Sequence, residues 1–192
     1  HFDRLWSLAV REGQKSGEKP GDVFSPLGLF LYEPVLENWG YHDTPQNALT
    51  FASTGIDGEH FSFLTRANAL LDPSPIVLTM PMGYTGFKNY IVGADLLDFL
   101  SLGFQVHFAA LPSLAAPDDD RDRRELIEHI EEGIRPWDGE DPADTYTRKQ
   151  QHLSGVLQAE LGLMRWSDVA TRLRQLQLDW GRHIQLKTSS KD

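Results

Sequence analysis

Residues 50–64 read TFASTGIDGEHFSFL, and this stretch predicts a β-hairpin around which the rest of the fold is organised. Its two flanks are β-prone, and along the second strand Phe61 and Phe63 share one face while His60 faces the other way. Between the strands lies GIDG, residues 55–58, whose two glycines accept positive φ without steric cost. Asp-Gly next to a β-rich run is a strong short-range signal for a hairpin.

Composition limits the classes of function. The chain has 192 residues, which fits one domain of ordinary size. It has no cysteine, which excludes disulfides, thiolate zinc sites and a cysteine nucleophile. The formal charge of -10 argues against direct binding to nucleic acid and favours a basic protein partner, although acidity also serves solubility alone. No apolar run approaches the roughly 18 residues that span a bilayer, so we expect a cytoplasmic protein with no membrane contact.

Further strands and helices are predicted on both sides of the hairpin. Residues 76–80, IVLTM, are apolar along nearly their whole length and predict a central strand buried on both faces, and residues 89–92 predict another strand. The fold class is α+β, with a mixed, largely antiparallel sheet flanked by helices and a helical C-terminal extension. A single domain is expected, with a core at about 20–103 and the extension at about 104–186.

Helix boundaries follow from apolar spacing and from helix-ending glycines. One helix is predicted from residue 2 to about 12, where Gly13 would end it, and a brief one over 32–39. Another follows residue 95 and would end at Gly103. The C-terminal helices are predicted at 121–132, at 148–161 and after an N-cap at Ser167.

The hairpin sequence resembles a pattern of a known family. Residues 51–61 are similar to F-A-x-T-G-G-D-G-V-H-F, found in bacterial members of the SUKH superfamily, which includes yeast cell-wall synthesis regulators. Residues 75–81 resemble the family's next strand, and residues 90–103 resemble its closing strand and helix, V-A-x-N-L-x-D-F-L-x-L-G. The chain departs from the pattern at Ile56 and in its long helical tail. The resemblance, over residues 31–103, implies an α+β fold and a non-enzymatic binding role, often as an immunity protein that neutralises a toxin.

The turn carries the most chemical-looking residues of the chain, Asp57, Glu59 and His60. Strand alternation sends Glu59 and His60 to opposite faces, which disfavours a shared metal ion or a hydrolase centre. We expect Asp57 to cap its own turn and His60 to be half-buried with a hydrogen-bond partner. No metalloprotease, serine-hydrolase or phosphate-loop motif is present, so no catalytic residue, metal or cofactor is predicted.

Two surfaces remain as candidate binding sites. Residues 118–144 contain twelve Asp or Glu against four Arg, a local charge of -8, which is either a solvated helix face or a patch that steers a basic partner. Its candidate partner-binding residues are Asp118, Asp119, Asp120, Glu131, Glu132, Trp137, Asp138, Glu140 and Asp141. A candidate pocket would include Trp39, Tyr41, Asp57, His60 and Tyr84.

Two functions from different classes fit these features. The first is a non-enzymatic protein-binding module of the immunity type, which neutralises a basic toxin domain by direct binding. The alternative is a ligand-sensing or regulatory domain with a pocket between sheet and helices, lined by Trp39, Tyr41, Phe61 and Phe63. The first function depends on a surface complementary to that of the toxin, whereas the second requires a sizeable, partly apolar cavity.

Overall fold

Five antiparallel strands form one open sheet in the computed structural model, which describes residues 1–66, 73–83, 87–116, 120–134 and 145–187. Each strand pairs antiparallel with the next along the chain, in the order β1-β2-β3-β4-β5. Their bounds are β1 Phe30–Leu31, β2 Ala48–Ser53, β3 His60–Leu64, β4 Ile76–Thr79 and β5 Asn89–Gly93. The predicted α+β class is confirmed, and so are the hairpin and the buried strand at 76–79.

The turn between β2 and β3 has the predicted backbone geometry. Gly55 and Gly58 have φ of 79° and 72°, and Asp57 has φ of 47°, a left-handed value that Asp tolerates better than most residues. Thr54 supplies the side-chain bonds: its Oγ1 accepts from the Ile56 N–H at 3.2 Å and donates to the Glu59 carboxylate at 2.8 Å. The expected cap by Asp57 is therefore wrong, because Thr54 lies earlier in the turn and reaches both partners.

One face of the sheet carries the main hydrophobic core. Helices α1 (Phe2–Ser16) and α2 (Leu96–Val106) cover it with apolar side chains that interlock with those of the strands. At its centre Phe99 of α2 lies with its ring centroid 4.8 Å from that of Phe61 and 5.8 Å from that of Phe51. Phe61 and Phe63 thus share one face of β3, as predicted, and this face packs against the helices.

The C-terminal helices continue this core and cover part of the other face. They are α3 Leu111–Ala115, α4 Asp120–Ile134, α5 Thr145–Leu161 and α6 Val169–Trp180. Helix α5 packs Leu153 and Leu157 into the main core, while Leu176 of α6 packs with Val77 and Ile91 on the opposite face of the sheet. The Gln177 side chain accepts from the Ile91 N–H at 3.0 Å, so α6 also occupies a backbone donor of the edge strand.

Charged contacts tie α5 to α1. Glu12, 5% exposed, binds the Lys15 ammonium at 2.7 Å and the His152 ring of α5 at 3.3 Å. The hydrogen bond from Lys15 is the main cause that lowers the pKa of Glu12 below its ordinary value. Arg11 reaches Glu160 at 2.8 Å. Helix α5 is therefore fixed to the N-terminal helix by polar as well as apolar contacts.

Several predicted helix boundaries are wrong. Helix α1 continues past Gly13 and ends where Gly17 takes φ of 78°. Residues 32–39 form no helix: Pro34 interrupts the segment, and the Glu37 carbonyl instead accepts from the Thr50 N–H at 2.8 Å.

Two further predicted helix boundaries, at Gly103 and Ser167, are also wrong. Gly103 lies inside α2, which runs on to Val106 because Gly103 gives room to the Phe108 ring. The N-cap of α6 is Asp168, whose carboxylate accepts from the Thr171 N–H at 3.0 Å, so Ser167 is not the cap.

Among the described residues, no helix has the length and apolarity needed to cross a membrane.

Candidate functional site

His60 is enclosed in a packed aromatic group. It is 0% exposed at the start of β3, and its ring lies 5.0 Å from the Trp39 ring and 5.7 Å from the Tyr41 ring, the latter nearly parallel. Tyr32 continues the group, 4.9 Å from Trp39. Since Trp39 and Tyr41 come from the loop that crosses this face of the sheet, the group anchors that loop onto the strands.

Both ring nitrogens of His60 are engaged. Its Nδ1 lies 2.7 Å from the Gly58 carbonyl, which can only accept, so Nδ1 carries the proton. Its Nε2 lies 3.0 Å from the Thr44 hydroxyl and accepts from it. Burial lowers the pKa of His60 below its ordinary value of 6.5. The expectation of a histidine with a hydrogen-bond partner is confirmed, but the ring is fully buried and has no nitrogen left for a ligand.

The same face of the sheet carries a layer of buried, paired polar side chains. Thr50 and Ser62 share a hydrogen bond of 3.0 Å, and Thr79 donates to the Asn89 amide oxygen at 2.8 Å. The Asn89 amide donates in turn to the Asp43 carbonyl at 3.0 Å. In the described part of the chain no buried side-chain nitrogen or oxygen is left without a partner. This layer therefore holds the crossing loop in place.

The described residues named for the predicted pocket do not lie on one face of the sheet. Phe61 and Phe63 are 0% and 2% exposed in the main core, on the face opposite His60, because alternate strand residues point to opposite sides. Trp39 and Tyr41 instead pack against His60 on the other face, with ring centroids 5.0 and 5.7 Å from its ring. Tyr84 lies outside the described residues. The ligand-sensing alternative stays a prediction.

A different cleft opens at one end of the sheet. It has a volume of about 270 Å³ and lies between the β2–β3 turn, the β4–β5 turn and α3. Its lining is largely apolar, with two carboxylates from the β2–β3 turn. The described lining residues are Asp57, Glu59, Met80, Met82, Gly83, Pro112, Ser113 and Ala116. Among the described residues of the predicted pocket, Asp57 lines this cleft.

The pKa of Glu59 in the cleft is raised above its ordinary value. Glu59 is half-buried, and burial is the main cause that raises its pKa above the ordinary value. The hydrogen bond from Thr54 opposes this shift, and the negative charge of Asp57 adds to it. A positively charged group in the cleft would relieve both the burial cost and the repulsion.

Large apolar side chains are exposed around this end of the sheet, which we call the turn end and define as residues 54–59, 80–83 and 87–88. Strand register brings its parts together, because His60 pairs with Thr79 and Thr79 with Asn89. Ile56 is 54% exposed, Met82 70% and Phe87 53%. Tyr41, 45% exposed, lies beside it, its hydroxyl 3.2 Å from where a Cβ on Gly58 would be.

Sequence patterns do not point to most of the turn end as a binding surface. Asp57 and Glu59 were singled out, but Met82 and Phe87 lie in a turn that has no motif. The contribution of α3 depends on how the chain folds back after α2, and residues 111–116 show no pattern that points to a site. A long-range contact of this kind is invisible to local spacing.

The acidic candidate surface cannot be placed. Asp118, Asp119, Trp137, Asp138, Glu140 and Asp141 lie outside the described residues. Asp120, Glu131 and Glu132 belong to α4, whose backbone is described there without their side chains. On the described part of α4, Asp122, Glu125 and Glu128 are exposed, and Glu125 is paired with Arg121 at 3.0 Å.

Asp57, Glu59 and His60 do not converge on one point. The Asp57 and Glu59 carboxylates line the cleft. The His60 ring lies instead against Trp39 and Tyr41 and is hydrogen-bonded to Gly58 and Thr44. The hydrolase geometry that needs all three together is therefore not formed. Within residues 1–66, 73–83, 87–116, 120–134 and 145–187, no group of three His, Asp or Glu side chains is placed to hold a metal ion.

The chain matches no family model, no curated protein and no solved structure. Membership of the SUKH superfamily accordingly stays a prediction that rests on the patterns in residues 51–61, 75–81 and 90–103.

The burial of neutral His60 predicts a pH dependence of stability. Its folded-state pKa is depressed, so the unfolded chain takes up this proton first as pH falls. The contribution of His60 to stability is therefore complete above pH 6.5 and declines as pH falls from there towards the folded pKa. We expect His60→Gln to flatten the curve of unfolding free energy against pH between about 7 and 5, measured by urea denaturation.

Burial also lowers the pKa of His107, which is present in both the wild type and His60→Gln. The contribution of His60 is therefore the difference between their two curves of unfolding free energy against pH. Parallel curves for the wild type and His60→Gln over this range would contradict the assignment of a neutral, buried His60.

Proposed function

We propose that this chain is a protein-binding module of the immunity type, related to the SUKH superfamily, which neutralises a basic bacterial toxin by direct binding. The observation that carries the proposal is the turn end, where exposed apolar side chains lie on the turns that border a cleft with two carboxylates. Such a surface suits a protein partner with apolar and basic groups side by side.

The apolar part of the turn end has the composition of an interface core. Single exposed hydrophobic residues are common on any protein, but a cluster marks a contact surface. Met and aromatic side chains are enriched at the centre of protein interfaces, and here Met82, Phe87 and Tyr41 are all at least 45% exposed. These side chains would be the anchors of the complex.

Charge supports the same kind of partner. Residues 118–144 account for most of the net charge of -10, because they contain twelve acidic residues and four arginines. Fields of this kind raise the association rate of an oppositely charged protein by about 10- to 10³-fold and weaken with salt. Many nuclease toxins are basic, so the family resemblance and the charge favour the same class of partner.

The test is co-expression with the product of the neighbouring gene, the expected toxin. We expect a stoichiometric complex whose affinity falls by about tenfold or more when salt is raised from about 0.05 to 0.5 M, because part of the attraction is electrostatic. Isothermal titration calorimetry at several salt concentrations measures both the stoichiometry and the affinity.

Matched methionines provide the control. Met82→Ser at the turn end should weaken the complex about tenfold or more, whereas Met164→Ser, at a residue 77% exposed in the segment between α5 and α6, should change affinity less than about twofold. Failure of the two proteins to associate contradicts the immunity role. A complex that Met82→Ser leaves intact contradicts the assignment of the surface.

A further inference from the structure

We propose that the cleft between the β2–β3 turn, the β4–β5 turn and α3 receives an arginine side chain of the protein partner. This inference rests on the proposed function and specifies the chemistry of its central contact. The cleft holds Asp57 and Glu59 against an apolar wall that includes Met80 and Pro112.

The size of the cleft favours a single side chain. Its volume of about 270 Å³ lies just below the roughly 300–1,000 Å³ typical of small-molecule pockets. It is open at the surface between two turns, beside exposed Met82, so a side chain projecting from a docked protein can enter it. A partner residue is thus a better fit than a free metabolite.

The lining matches the two parts of an arginine side chain. Methionine and proline side chains offer an apolar surface for a long aliphatic stem, which arginine buries while its charged end meets polar groups. At the charged end lie two carboxylates that repel each other. A guanidinium presents five donors in a planar fork and can bond to both carboxylates, whereas a lysine ammonium acts as a single point charge.

The other described groups of the cleft leave both carboxylates available. Thr54 donates to one oxygen of Glu59, at 2.8 Å, which leaves the other oxygen for a ligand. Lys88, in the β4–β5 turn, donates from Nζ to the Gly83 carbonyl and is not among the residues that line the cleft. The carboxylates therefore give the described lining a negative charge, which a cation complements.

The experiment is an NMR titration of the ¹⁵N-labelled full chain with N-acetyl-arginine amide. We expect saturable shifts of the backbone amides of Asp57, Gly58, Glu59 and Gly83, with a Kd on the order of millimolar for one side chain. N-acetyl-citrulline amide, nearly the same shape without the charge, should bind at least about tenfold more weakly. N-acetyl-lysine amide should also bind more weakly than the arginine compound.

Two double variants that remove the same amount of charge distinguish binding in the cleft from nonspecific electrostatic attraction. The double variant Asp57→Asn/Glu59→Gln keeps the shapes of the side chains, and Asn accepts the positive φ of residue 57. It should lose at least about tenfold in affinity. Asp122→Asn/Glu128→Gln, on the exposed face of α4, removes the same charge and should leave the affinity within about twofold.

Any of three results overturns the inference: no saturable shift at the cleft, equal binding of the citrulline or lysine compound, or equal losses in the two double variants. Its failure can be told apart from failure of the proposed function. If the toxin binds Asp57→Asn/Glu59→Gln as tightly as the wild type, the arginine contact is wrong and the immunity role stands. If the arginine compound saturates the cleft but no toxin complex forms, the immunity role is wrong.

Discussion

Replacing Phe99 by alanine is expected to lower the free energy of unfolding by about 3–5 kcal/mol, which for a domain of ordinary stability removes a large part of the total. Phe99 is 0% exposed and lies where α2 meets the sheet. Its ring is within 5.8 Å of those of Phe51, Phe61 and Phe108, centroid to centroid. Truncation removes these contacts and leaves a cavity that surrounding strands and helices cannot fill.

Urea denaturation followed by tryptophan fluorescence measures this loss. Phe99→Leu, which keeps much of the volume, should cost clearly less than Phe99→Ala, and Phe87→Ala, at a residue 53% exposed, should stay within about 0.5 kcal/mol of the wild type. A loss below about 1 kcal/mol for Phe99→Ala would show that this ring is not at the centre of the core.

Gly103→Ala is expected to lower the free energy of unfolding by about 2 kcal/mol, although alanine is the better helix former by about 1 kcal/mol. A Cβ at position 103 would lie 1.9 Å from the nearest ring carbon of Phe108, far inside van der Waals contact. The Phe108 ring is 0% exposed and packs against Phe99, so it has no free space to move into.

Gly155 provides the matched control for this prediction. It also lies inside a helix, α5, but nothing lies within 4 Å of its missing Cβ. Gly155→Ala should therefore raise the free energy of unfolding by about 0.5–1 kcal/mol. The two glycine variants should shift the melting temperature in opposite directions. A stabilising Gly103→Ala would mean that the Phe108 ring does not lie over this glycine.

Gly103 is a residue whose structural role cannot be predicted from the local sequence. A glycine after an apolar stripe predicts a helix end, and the same residue here permits a close contact with Phe108. Only the fold of the next segment distinguishes these two roles. The chain turns back at His107, a non-glycine residue with φ of 63°, and no local pattern marks that turn.

Local sequence patterns predicted the elements whose structure depends on residues close together in the chain. The hairpin follows from strand alternation and the glycines at 55 and 58, and the buried strand β4 follows from its continuous apolar run. The spacing of residues 32–39 fits a helix, but Pro34 interrupts the segment and the Glu37 carbonyl accepts from the Thr50 N–H of β2 instead. Pairing with a distant strand overrode the local pattern.

The candidate site was only partly predictable for the same reason. Asp57 and Glu59 stand out in the sequence because of the turn they flank, but the cleft needs α3, more than fifty residues later. His60 drew attention as a chemical group and proves to be structural, with Gly58 and Thr44 as its partners. Burial, which a single sequence does not reveal, separates these roles.

The central claim is that the turn end is the surface through which this chain binds a basic protein. Hydrogen–deuterium exchange of the chain, alone and in complex with the neighbouring gene's product, tests it most directly. The account predicts slower exchange in the complex at residues 54–59 and 80–83 of the turn end and at residues 111–116, which complete the cleft beside it. Protection confined to other segments, with these three unchanged, would contradict it.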